Sequence, residues 1–149
     1  MRPFLLLLLL THLVACDTAE VGGPVTFTFT QAATGPSSFA GTFTLTGAYT
    51  DSGTTTDELT ITSAPGENPL VATGRRTVTG EGGSFVLTGD ATVDLANPSA
   101  AVIAGTWRVA SATGGYEGLT GSGTISGTAD FAAAQPNGTV RYTGELSPR

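Results

Sequence analysis

This sequence predicts one all-β domain, a single antiparallel β-barrel of about eight strands, on three observations. Apolar residues alternate with threonine at period two in several runs, the pattern of a strand with one buried face and one wet face. Turn residues recur at the short spacing of small barrels and sandwiches, and no segment carries a convincing helical period. The composition agrees, because 21 glycines and only 12% charged residues in a chain of 149 suit a glycine-punctuated β-domain better than a disordered chain. A β-sandwich is the competing architecture; the core cysteine pair of immunoglobulin domains is absent, though many sandwiches lack it.

The elements follow in order. Val25, Phe27 and Phe29 alternate with Thr26, Thr28 and Thr30 as the first strand. After a loop through Gly35-Pro36, a longer strand places Phe39, Gly41, Phe43, Leu45, Gly47 and Tyr49 on one face. Residues 51–56 read as the next loop, and Leu59 and Ile61 mark a short strand. Pro65-Gly66-Glu67-Asn68-Pro69 is a turn cluster before a strand over 70–79, and Glu81-Gly82-Gly83 turns into a strand over 84–95. There Phe85, Leu87, Ala91, Val93 and Leu95 share a face. Asn97-Pro98 breaks the chain before the strand of Trp107, and Asn137-Gly138 is a hairpin signal before Val140 and Tyr142.

The stretch 105–127, GTWRVASATGGYEGLTGSGTISG, joins the chain's single tryptophan to its densest run of glycines. Trp107 and Val109 face one way, Thr106, Arg108 and Ala110 the other, and Gly114-Gly115 turns the chain back. Gly121, Gly123 and Gly127 then share a side with Ile125, so the returning strand has little bulk there and can lie close under a large ring. Trp107, the run Ala112-Thr113-Gly114-Gly115-Tyr116-Glu117-Gly118-Leu119 and Gly121-Ser122-Gly123-Thr124 resemble the signature of small secreted bacterial domains of the allene oxide cyclase and dirigent type. The likeness covers most of 25–146. It implies a β-barrel and carries no catalytic residue with it, because the matching stretch is structural.

At the N-terminus, Met1-Arg2 precedes a nearly unbroken apolar run, Phe4 to Leu10, that ends in Leu13-Val14-Ala15-Cys16. The run falls short of the ~20 residues a spanning helix needs, and it reads as a targeting segment. Leu13-Val14-Ala15-Cys16 resembles the bacterial lipobox, in which the cysteine receives lipid and the signal is cut before it. The expected organisation is a lipoprotein signal peptide over 1–15, the lipidation site Cys16 with a short tether over 16–24, and the barrel over 25–149. Two or three acyl chains on Cys16 make a stable anchor. The expected location is the bacterial cell envelope, outside the cytoplasm, with the membrane as partner.

A formal net charge of −6 argues against nucleic acid as a partner. Cleavage before Cys16 removes the only histidine, His12, so a Ser-His-Asp or Cys-His site cannot be built and the usual zinc ligands are missing; no cofactor is expected. Asp90 and Asp94, roughly 13 Å apart along one strand at ~3.3 Å per residue, are too far apart for a paired acid and base and lie on the wet face. Asp51 to Glu58 offers oxygens for weak calcium binding but reads as a solvated hairpin tip.

Three residues are candidates for a ligand site. Arg76 shares a side with Leu70, Ala72 and Val78, and an inward arginine requires a carboxylate or an anion, for which Glu81 and Glu117 are candidates. It sits either at a wet rim or facing a ligand. Trp107 and Tyr116 either line a pocket for a small apolar ligand or belong to the core. The leading expectation is a non-catalytic envelope lipoprotein whose barrel holds such a ligand. A cyclase or dirigent-type enzyme working by cavity shape is one alternative, and a structural or adhesive surface protein with a threonine-rich exterior is the other.

Overall fold

Alternation of apolar residues with threonine carries eight strands in the computed structural model, which describes residues 22–149. They are β1 (Gly23–Ala33), β2 (Ser38–Gly47), β3 (Asp51–Ile61), β4 (Leu70–Gly80), β5 (Gly83–Asp94), β6 (Ala101–Gly114), β7 (Leu119–Asp130) and β8 (Asn137–Pro148). Each pairs antiparallel with its neighbours in sequence, and β1 pairs with β8, which closes the barrel and leaves no sheet edge. The expected signal peptide and lipidation site, residues 1–15 and Cys16, lie outside the described residues. Threonines and charged groups such as Arg108, Arg141 and Glu145 cover the outer wall, which therefore faces water rather than lipid.

Two local expectations are corrected. Residues 51–56 belong to β3, and the turn falls at 48–50, where the Ala48 amide donates to the Pro24 carbonyl. Asp-Ser-Gly is turn-like composition, but Thr54 lies between Thr42 of β2 and Thr79 of β4, and pairing on both sides overrides it. Asn137-Gly138 is also in register, opposite Asp130 and Ala129 of β7. The connection is 131–136, opened by Asp130, whose carboxylate accepts the amides of Ala132 and Ala133.

The interior changes character along the axis. Phe27 packs at its centre against Phe29, Phe43, Phe85 and Trp107, with ring centroids 5.6–6.4 Å apart. An indole fits in so narrow a barrel because its neighbours across both flanking strands are glycines, Gly89 of β5 and Gly123 of β7. A side chain at Gly123 would overlap the Thr143 carbonyl, the same group that Trp107 Nε1 reaches at 3.4 Å. An extra residue, Ala110, sits in β6 between the partners of Val86 and Leu87; this bulge turns Ala112 as well as Val109 toward the core.

The end with the short turns 48–50, 81–82 and 115–118 is plugged. Tyr116 stacks on Phe85 at 4.4 Å, meets Tyr49 edge-on, and donates its hydroxyl to Asp51 Oδ2 at 2.7 Å. Asp51 also accepts the amides of Ser52, Glu81 and Gly82, so one carboxylate ties three turns together. Burial pushes the Asp51 carboxyl up, but the bonds from Tyr116 and the Ser52, Gly82 and Glu81 amides outweigh it and hold it below its ordinary value. Burial, then the bond to Asp51 and its charge, push the Tyr116 phenol well above the ordinary range. Tyr142 is raised too, chiefly by burial, with the charge of Arg76 opposing and that of Asp57 adding.

Residues 22–149 contain no histidine, lysine or cysteine, so the barrel has no side chain that ordinarily titrates between the carboxylates and the tyrosines. Its thermal midpoint is expected to stay level from about pH 6 to about pH 9. The Asp51 contribution is complete above the unfolded value of 3.8 and is lost as pH falls through its lower folded value. The Tyr116 contribution is complete below the unfolded value of 10.0 and is lost as pH rises toward its higher folded value. Asp51→Asn should flatten the acid limb and Tyr116→Phe the alkaline limb; a midpoint that moves steeply between pH 6 and 9 contradicts this account.

Candidate functional site

Past the aromatic layer, toward the end bearing the connections 34–37, 62–69, 95–100 and 131–136, the inward positions turn small. Ala72 and Gly74 of β4, Gly89 and Ala91 of β5, Ala129 of β7 and Gly138 of β8 leave a cavity of about 60 Å³. A single water needs ~10–15 Å³ by the same measure, so the space takes a compact organic molecule or several waters. Its walls are mostly apolar, with Phe39, Leu59, Val93, Ile103, Ile125 and Val140. The rim is held by Asn68, which donates to Asp94 at 2.9 Å and accepts the Leu95 amide at 2.8 Å, and by Gln135, which donates to the Ala33 carbonyl at 2.9 Å.

The polar groups gather on one side. Arg76, only 2% exposed, donates through one terminal nitrogen, NH2, to Asp57 Oδ2 at 2.5 Å and to Gln31 Oε1 at 2.6 Å. The register makes this pair, since Asp57 of β3 lies directly opposite Arg76 of β4. The guanidinium carbon lies 4.1 Å from the Phe29 ring centroid and 5.0 Å from that of Tyr142, within range for cation–π attraction. Phe29 and Tyr142 are in edge contact, and Tyr142 stacks on Trp107, so the cation rests on the packed half and faces the hollow one. Arg76 Nε and NH1 have no hydrogen-bond partner among the described residues.

Arg76 is thus inside the barrel beside the cavity rather than at a wet rim. Its counter-ion is Asp57, not Glu81 or Glu117, both of which are exposed in turns at the plugged end. Trp107 and Tyr116 lie in the packed core, Trp107 midway and Tyr116 in the plug, and neither lines the cavity. Asp57 is buried, with Glu58 on the outer face, so the acidic run 51–58 is no solvated tip with converging oxygens. Asp90 and Asp94 are exposed on the outer wall. Gln31, Asp57 and Tyr142 are site residues that sequence reasoning missed. The signal for Asp57 was present, because Thr55, Asp57 and Leu59 alternate in step with the inward residues of a strand.

No protein family, curated protein or solved structure matches this chain.

A buried ion pair is costly to break from one side only, since the survivor is left charged without a partner. Asp57→Leu and Arg76→Met are each expected to cost about 3–5 kcal/mol, while the two combined should cost far less than the sum. Urea unfolding of the three variants measures the difference, and additive costs would show that the two side chains are not coupled.

Proposed function

We propose that this protein is a lipid-anchored lipoprotein of the bacterial cell envelope whose barrel binds a small, largely apolar ligand without transforming it. The observation that carries this reading is the apolar cavity beside Arg76, built where β4, β5, β7 and β8 turn small inward residues toward one end. The anchor reading rests on Leu13-Val14-Ala15-Cys16. Strand β1 starts at Gly23 at the plugged end, seven residues after Cys16, a reach of about 25 Å at most when extended at ~3.3–3.6 Å per residue. The cavity end therefore points away from the membrane, toward the medium from which a ligand would come.

An enzyme of the cyclase or dirigent type, guiding a reactive substrate by shape, is the second reading. Arg76, Asp57 and Tyr142 converging on one cavity favour it. Against it, Asp57 is occupied by Arg76, and the raised Tyr142 phenol stays protonated at neutral pH, so neither is poised as a base.

The test compares wild type, Cys16→Ala and Ala91→Leu, produced in a bacterial host and examined by fractionation and native mass spectrometry. Wild type should be membrane-bound and carry a stoichiometric small molecule. Cys16→Ala should be released from the membrane, and Ala91→Leu, which projects into the cavity, should be folded and empty. A membrane-bound Cys16→Ala protein contradicts the anchor, and an empty wild type that no small apolar compound stabilises against heat contradicts the binding role.

A further inference from the structure

Building on the reading of the barrel as a binding protein, we infer that its ligand is a compact neutral molecule with a single carbonyl acceptor, which takes a hydrogen bond that the buried Arg76 guanidinium otherwise leaves unmade. Two observations and one physical cost lead there. The guanidinium is fixed before any ligand arrives, by Asp57 and Gln31 on NH2 and by the faces of Phe29 and Tyr142. Its Nε and NH1, buried and without a partner among the described residues, belong to a side chain that lines the cavity. A buried donor left unpaired is costly, more so on a charged group, and an acceptor delivered by a ligand removes that cost.

Charge then selects the kind of acceptor. Asp57 already balances Arg76, and Arg75, Arg108, Arg141 and Arg149 are all exposed, so among the described residues no second cation faces the interior. A carboxylate or phosphate entering the cavity would leave a net negative charge in an apolar enclosure next to the Asp57 carboxylate. A ketone, ester or amide carbonyl accepts from the same donors with no such penalty. The remaining wall, with Leu59, Val93, Ile103 and Ile125, takes a hydrocarbon body, and the cavity of about 60 Å³ keeps that body small.

Three probes of one skeleton separate the alternatives: acetophenone, benzoate and ethylbenzene, titrated calorimetrically at pH 7 into wild type and into the Asp57→Leu/Arg76→Met variant. In wild type, acetophenone should bind more tightly than benzoate. In the double variant its affinity should fall about tenfold or more, while that of ethylbenzene holds or rises. On wild type alone, the Arg76 Nε–H resonance should gain protection from solvent exchange with acetophenone and not with ethylbenzene, a readout that does not depend on the variant folding. Tighter binding of benzoate, or acetophenone binding that ignores Arg76 in both measurements, overturns the carbonyl assignment and leaves a binding barrel standing. If none of the three binds, the binding role itself falls, and this assignment with it.

Discussion

Arg76 is a cation enclosed in a narrow barrel, and the arrangement around it follows from the need to keep it satisfied. It sits in the wall of β4, directly across from Asp57 of β3, so the antiparallel register supplies the counter-charge. Gln31 of β1 takes a second bond from the same nitrogen, and the flat guanidinium lies against Phe29 and Tyr142. These contacts draw on four strands, β1, β3, β4 and β8. A register slip in any of them would turn its contributing side chain to the other face and strand the charge.

The same layer divides the interior. Along β5 the inward residues run Phe85, Leu87, Gly89, Ala91 and Val93, and along β1 they run Val25, Phe27, Phe29 and Gln31. Bulk is concentrated at the end that Tyr116 and Asp51 close, and it thins toward the end of the longer connections. Aromatic side chains fill the plugged half because the positions beside them are empty, as with Trp107 between Gly89 and Gly123. In the other half the small positions stand opposite one another, Ala72 against Ala91 and Gly74 against Gly89, and only the tips of Leu59 and Ile125 reach over the two glycines. The distribution of side-chain size, rather than the number of strands, decides which part of the barrel is hollow.

The barrel was legible in the sequence because alternation is a local signal: Val25-Thr26-Phe27-Thr28-Phe29 can be read without knowing its partners. The glycine-rich strand under Trp107 was legible for the same reason. The first part of strand β3 was not, because Asp51-Ser52-Gly53 has the composition of a turn, and the partners of β3 lie 6–20 positions away in β2 and 11–27 positions away in β4. Missing the start of β3 hid Asp57, and with it the counter-ion of Arg76. That Arg76 faces inward could be inferred from its strand, but its partner depends on register between strands. The cavity posed a similar difficulty. A row of small inward residues reads the same whether a neighbouring ring covers it, as at Gly123, or a cavity adjoins it, as at Ala72 and Ala91.

The central claim is that the half of the barrel beyond Arg76 is hollow while the half around Phe27 is filled. A crystal structure determined under xenon pressure tests it most directly, because xenon enters dry apolar cavities and cannot enter a packed core. The account predicts xenon density among Ala91, Ile103 and Ile125 beside Arg76, and none between Phe27 and Tyr116. A cavity closed by inward movement of Phe39 and Phe131 against Arg76, with no xenon in either half, would contradict it.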